Sequence, residues 1–265
     1  MTRRRAPCIA LLTDFGTRDW YVGMLKGVLL TRCPRIPLID ITHDIPPQDV
    51  IAGALTLSVT ARWFPPGAVF LCVVDPGVGS SRPLLAARAN GRYFVGPDNG
   101  LLAPVLQEAT SPTVVRLTNA RSWFKTESRT FQGRDILAPV AAQVARGTPL
   151  RALGVAMPRV QPLALPQPQR VDEKLSGCIL HIDAFGNLMT NVSQSALNRH
   201  ARFAKRAVRY KQHWARMVSS YADGRPNELI AVIGSLGFLE LAIREGSAAW
   251  TFNAKRGDRV DVIVG

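Results

Sequence analysis

Val69-Phe70-Leu71-Cys72-Val73-Val74-Asp75-Pro76-Gly77-Val78-Gly79 is an unbroken apolar run that ends in aspartate and turns at once. A run with no polar alternation suits a strand buried on both faces, as in a parallel sheet covered by helices. The same event recurs along the chain. Ile9–Leu12 runs into Thr13-Asp14-Phe15-Gly16, Tyr93–Val95 into Gly96-Pro97-Asp98-Asn99-Gly100, and Ile179–Ile182 into Asp183-Ala184-Phe185-Gly186-Asn187. Ligands of open α/β sheets sit outside the carboxyl ends of the strands. Four acidic, glycine-tipped strand ends therefore point to one polar pocket assembled from several loops.

Working outward, strand-like and helix-like segments alternate. Helical stretches are expected from Trp20 to about Thr31, from Gln48 to about Trp63, and from Ile136 to Arg146. Strands are expected at Leu38–Thr42 and Val69–Val74. Ile51, Leu55 and Val59 fall on one helical face, and Pro34 and Pro65-Pro66-Gly67 act as stops. This alternation predicts an α/β domain with a mostly parallel sheet over residues 1–157. Pro158, Pro162, Pro166 and Pro168 exclude a regular helix or central strand, so 158–174 reads as a linker. Short strand candidates follow at Cys178–Ile182, Leu188–Val192, Leu229–Ile233, Phe238–Ile243 and Val260–Val264. They predict a smaller β domain over 175–265.

With 265 residues and 47% hydrophobic composition, the chain has ample material for folded cores. No apolar run reaches the ~18 residues that span a bilayer. Met1-Thr2-Arg3-Arg4-Arg5 resembles the start of a signal peptide, but the apolar stretch behind it is short and stops at Asp14. The expectation is a cytoplasmic protein. Cys8, Cys33, Cys72 and Cys178 lie far apart, which predicts neither a disulfide framework nor zinc; they read as small buried hydrophobes. His43, His181, His200 and His213 are scattered, and a structural role is the default for each.

The formal net charge is +14. Part of the excess is local: Arg199, Arg202, Lys205, Arg206, Arg209, Lys211 and Arg216 fall between Asp183 and Asp223 with no acid among them, and Tyr210 and Trp214 are interleaved. No RNA- or DNA-binding motif accompanies them, so a solvated basic face is favoured over a nucleic-acid site.

The sharpest chemical segment is Asp75 to Arg82. Its proline and two glycines make a tight turn with amides free to face a ligand. If the turn folds back, Arg82 meets Asp75. Such an arginine keeps a carboxylate ionised and orients a polar reactant, or else merely staples the loop. No GK[ST] follows, so this is not a phosphate-binding P-loop. Asp14, at another strand end, can accept from vicinal ribose hydroxyls. Thr13-Asp14-Phe15-Gly16 lacks every other kinase element. In Thr130-Phe131-Gln132-Gly133-Arg134-Asp135, Asp135 reads as a helix cap and Gln132 as a residue able to reach a pocket.

Together these segments resemble the S-adenosyl-L-methionine (SAM) hydroxide adenosyltransferase family, relatives of the SAM-dependent fluorinase and chlorinase. The matching pieces are TDFG at 13–16, YVG at 21–23, DITHDIPPQDV at 40–50, DPGVGSSR at 75–82, PDNG at 97–100, TFQGRD at 130–135, IDAFGN at 182–187, YAD at 221–223 and GSLGFLELA at 234–242. They span nearly the whole chain in family order. The resemblance implies a C-terminal β-barrel-like domain and a homotrimer with active sites at subunit interfaces. It implies hydrolysis of SAM to adenosine and methionine, with SAM as substrate and no metal or other cofactor. Asp14 matches the ribose-binding aspartate, with Phe15 beside it in the substrate loop. Asp183 and Ser235 match positions that hold the methionine amino and carboxylate groups. Tyr221 matches the residue that stacks on adenine, Asn187 matches an adenine-edge residue, and Phe185 packs against the nucleoside. Asp75 and Arg82 match two members of an Asp-Arg-His set that activates water. The third falls on Gln132, where the family motif reads TFHGRD. Glutamine orients a water but cannot take its proton. Two alternatives follow: a SAM or adenosine binder with little turnover, or a halogenase, which Asp75 disfavours because a carboxylate repels a desolvated halide.

Overall fold

The computed structural model describes residues 6–125, 128–200 and 207–263. The basic leader 1–5, Arg202, Lys205 and Arg206 of the basic run, and Val264 of the last expected strand lie outside the described residues. The chain divides into two compact units, 1–163 and 164–265.

In the first unit, β1 (Ile9–Thr13), α1 (Tyr21–Arg32), β2 (Leu38–Thr42), α2 (Val50–Ala61) and β3 (Val69–Val73) alternate as the sequence predicts. β4 (Leu84–Ala89), β5 (Arg92–Pro97), α3 (Ala103–Gln107), β6 (Thr113–Leu117), α4 (Ala138–Ala145) and β7 (Gly154–Ala156) complete it. The sheet runs β2-β1-β3-β5-β4-β6-β7, parallel from β2 to β5 and antiparallel beyond. Alternate residues of the apolar strands enter opposite cores. Ile9, Leu11, Leu71 and Val73 pack toward α1 and α4. Ala10, Leu12, Phe70 and Cys72 pack toward α2 and α3. Each fully buried leucine or phenylalanine contributes about 1.5–3 kcal/mol. This two-sided burial is why the runs carry no polar alternation.

The chain leaves β1 for β2 on one side and returns to β3 on the other, so strand order reverses between β1 and β3. Thr13 is in register with Val73. Asp14 and Asp75 therefore emerge at the carboxyl ends of adjacent strands at the switch point, where such sheets bind ligands.

Three local expectations change. Helical structure begins not at Ile136 but with a π-type turn, Gly133–Leu137, which runs into α4. Asp135 is therefore inside the first turn rather than a cap, and both its carboxylate oxygens accept from Arg134, at 2.6 and 2.9 Å. Cys8, Cys33 and Cys72 are buried, but Cys178 is only half-buried. Within 158–174, Val160 and Leu163 pack on the first unit's core, and β8 (Gln169–Val171) is already a strand of the second.

The second unit comprises β8, β9 (Lys174–Ile182), β10 (Leu188–Ser193), α5 (Gln194–His200), β11 (Ala207–Tyr210), β12 (His213–Val218), β13 (Leu229–Ile233), β14 (Phe238–Ile243), α6 (Ala248–Thr251) and β15 (Arg259–Ile263). The order β10-β14-β13-β12-β11-β15-β9 closes on itself through a β9–β10 pairing, giving a seven-stranded barrel with β8 added outside β9. Leu175, Val192, Val208, Leu241 and Val262 fill it. Tyr210, read from sequence as part of a basic surface, is fully buried, and its hydroxyl donates to Asp258 at 2.7 Å. No helix among the described residues is long and apolar enough to cross a membrane.

Candidate active site

The loop after β3 folds back as its glycines require. Gly79 is left-handed at φ +82°. A Cβ on Gly77 would lie 3.0 Å from Arg82 Cδ, so only glycine leaves Arg82 room to lie across the turn. Three of the loop's amides are not free for a ligand, contrary to the sequence expectation. Val78 N donates to Asp75 O at 3.3 Å, Ser80 N to Gly77 O at 3.1 Å and Arg82 N to Ser80 Oγ at 3.3 Å.

Arg82 meets Asp75 in a two-pronged pair. Nε donates to Oδ1 at 2.6 Å and Nη2 donates to Oδ2. Nη2 also donates to Gln132 Oε1 at 2.7 Å. The side chains of Asp75 and Arg82 are 4% and 9% exposed, so water screens this pair little. Arg82 Nη1 is buried and has no partner among the described residues. A buried guanidinium donor left free marks a position for a polar ligand atom. With Oε1 accepting from Arg82, Gln132 has its amide N–H groups to donate to that ligand.

Asp14 lies next to this set at the end of β1. Its Oδ2 accepts from Gln48 N at 2.8 Å. Phe15, beside Asp14, is half-buried: its ring packs on Tyr21 and Phe131, with centroids 5.7 and 5.8 Å away, at the edge of the first unit's core. Asp14, Asp75, Arg82 and Gln132 thus belong to one end of the first sheet.

In the barrel unit, Asp183 organises its own loop. Oδ1 accepts from Phe185 N and Asn187 N at 2.9 and 2.8 Å, and Oδ2 accepts from Asn187 Nδ2 at 2.9 Å. Gly186 holds φ +82° against Ser247, where a Cβ would meet Ser247 Oγ at 1.9 Å. This turn leaves Phe185 78% exposed. Phe185, Asn187, Tyr221 and Arg244 line an open concavity of about 510 Å³. Ser235 is exposed in the β13–β14 turn and does not line that concavity.

Sequence reasoning missed Glu240. It is buried, and its Oε2 accepts from Tyr221 Oη at 2.5 Å. Burial pushes the Tyr221 phenol up and the Glu240 carboxylate pushes it further, so the hydroxyl remains a donor. The available signal was a lone acid inside the apolar run Phe238–Ile243. Gln48 was missed too; it is a non-glycine residue at φ +65°.

The sequence profile of the SAM hydroxide adenosyltransferase N-terminal domain matches residues 9–154, and that of the C-terminal domain matches 177–261. An (R)-S-adenosyl-L-methionine hydrolase of Salinispora tropica is 38% identical, covering 98% of both chains. A fluorinase of Actinoplanes is 30% identical, covering 97% of both. The crystal structure of an uncharacterized conserved protein from Thermotoga maritima superposes with a TM-score of 0.90 at 35% identity, covering 96% of this chain and 99% of that one. Profiles matching both units, with full-length relatives above 30% identity, make this chain a member of the SAM hydroxide adenosyltransferase family.

Proposed function

We propose that the protein hydrolyses S-adenosyl-L-methionine to adenosine and L-methionine. The observation that carries this reading is the buried Asp75–Arg82 pair, joined by half-buried Gln132, with Arg82 Nη1 unpaired. A water seated there receives N–H donors from Arg82 Nη1 and Gln132 Nε2 and gives its proton to Asp75. Its oxygen bonds to C5′ as the C5′–S bond breaks, and the bonding pair returns to sulfur. The leaving group is a neutral thioether departing from a sulfonium, so no general acid and no metal is required. What the site supplies is alignment, worth up to about 7–11 kcal/mol for a well-held pair of reactants, and a proton acceptor, worth about 10²–10⁴ in rate.

Asp14 holds the ribose hydroxyls with Oδ1, its other oxygen being taken by Gln48 N. Phe185, Asn187 and Tyr221 line the nucleoside site, and Asp183 and Ser235 contact the methionine end. The same reading carries a cytoplasmic homotrimer, checked by native mass, and metal independence, checked by dialysis against a chelator.

The fluorinase relative raises halide transfer as a rival, and Asp75 argues against it: a carboxylate at the nucleophile position repels a halide. A second reading, SAM binding with little turnover, is favoured by glutamine at position 132, whose amide takes no proton and so leaves Asp75 as the one proton acceptor of the set.

The test incubates purified protein with SAM and follows adenosine and methionine by chromatography, beside Asp75→Asn and Gln132→His. Equal amounts of both products, lost by about 10²-fold or more in Asp75→Asn, are expected. Undiminished turnover in Asp75→Asn would remove the aspartate from the mechanism. No turnover in wild type with activity in Gln132→His would support the binding reading instead.

A further inference from the structure

One buried titratable residue has no part in the chemistry above. His43 is 4% exposed. Its Nδ1 is 2.8 Å from Thr13 Oγ1, and Thr13 Oγ1 accepts from Phe15 N at 3.3 Å. The hydroxyl proton is then free to go to Nδ1. On its other side, His43 Nε2 is 3.0 Å from Asp40 Oδ1, a close but bent contact, and Asp40 Oδ2 accepts from Lys26 Nζ at 2.6 Å. A polar chain thus runs from the surface lysine to the residue immediately before Asp14.

The backbone makes the same connection. Gly16 N donates to His43 O at 2.8 Å, closing the other side of the Asp14 loop on His43. Five residues on, Gln48 sits at φ +65° and delivers its N–H to Asp14 Oδ2. A left-handed non-glycine residue costs on the order of 1 kcal/mol and persists where its surroundings over-determine it. Here it directs one amide at one carboxylate oxygen. Asp14 is therefore fixed with Oδ2 satisfied and Oδ1 available.

We infer that His43 is a positioning residue for Asp14: by joining Thr13 to Asp40 it sets the loop that aims Asp14 Oδ1 at a vicinal diol. The inference rests on the ribose-binding reading of Asp14. His43 does not touch substrate. Its loss loosens Asp14 without removing the carboxylate, so it weakens recognition of the diol in particular.

The experiment measures binding of adenosine and of 2′,3′-dideoxyadenosine to the full chain by calorimetry. Hydrogen bonds to a charged group carry about ten- to a hundredfold in affinity. Asp14→Asn is expected to reduce the preference for adenosine over the dideoxy compound by that factor. His43→Ala is expected to reduce the preference by at least about fivefold with dideoxyadenosine affinity unchanged. His43→Asn, whose side-chain amide can replace Nδ1, is expected to recover much of it. Should His43→Ala not fold, Thr13→Val and Asp40→Asn interrupt the chain on either side and carry the same expectation. Equal loss of both ligands in His43→Ala, or loss of neither, while Asp14→Asn loses its preference for adenosine, would overturn the positioning role. An Asp14→Asn variant with undiminished preference would overturn the ribose reading itself, and the inference with it.

Discussion

Arg82 places two N–H donors on Asp75 and a third on Gln132, and those on Nη1 remain for a ligand. Both charges of the pair are buried, so removing one leaves the other without compensation. Arg82→Ala is expected to cost about 3–5 kcal/mol in urea unfolding, a loss that Asp75→Asn combined with Arg82→Ala partly recovers. Asp40 shows the opposite, solvent-facing case. Partial burial pushes its carboxyl up, but the hydrogen bond from Lys26 and the close approach of the His43 ring outweigh this and hold it below the usual carboxylate range. A carboxyl lowered in the folded state stabilises above its unfolded pKa, and that contribution fades as pH falls through the lowered value. The gap in melting temperature between wild type and Asp40→Asn should therefore shrink between about pH 6 and about pH 3.

At the scale of elements, what aims Asp14 and Asp75 is the contact of β1, β3 and β5. β5 approaches β3 so closely that a Cβ on Gly96 would lie 2.7 Å from Cys72 O. That oxygen is backbone and cannot swing away. Gly96→Ala is expected to destabilise by about 1–3 kcal/mol and, by shifting the end of β3 that carries Asp75, to lower kcat more than it raises KM. Thermal unfolding and SAM kinetics on the same variant read both effects. The barrel uses another device. β9 pairs with β15 at one end and β10 at the other, and Asn191 Oδ1 accepts from Cys178 N at 2.8 Å beside Gly177. The glycine lets the two strands come together where the barrel closes.

For the whole molecule the dominant number is the net charge of +14. Part of the basic run is engaged: Arg216 is 3.2 Å from Glu228, and Lys211 is 3.7 Å from Asp258. Arg209 instead sits over the Trp214 ring, 6.0 Å from its centroid. Among the described residues, Arg209 and Lys211 line, with Lys174 and Arg259, an open concavity of about 420 Å³ that also holds the carboxylates of Asp258 and Asp261, which repel a phosphate backbone. Binding to mixed-sequence DNA should stay at about 10⁻⁴–10⁻⁶ M at physiological salt and fall steeply as salt rises. Fluorescence anisotropy across a salt series checks this; sub-micromolar, salt-resistant binding would contradict it.

How far the sequence carried depends on whether a feature is local. Apolar runs ending in Asp14 and Asp75, proline stops and a linear motif order determined the parallel sheet, the β-rich second unit and the family, because burial on both faces and turn chemistry are written in neighbouring residues. β11 and β12 escaped, since a strand with one wet face looks like a basic run when Arg209 and Arg216 point outward and Lys211 sits in the turn between the two strands. The tertiary structure alone decided that Arg82 is shared between Asp75 and Gln132, that Glu240 anchors Tyr221, and that His43 and Gln48 brace Asp14. Each of these contacts joins residues from seven to fifty positions apart, and no local pattern encodes a hydrogen bond closed only by the packing of one strand end against another.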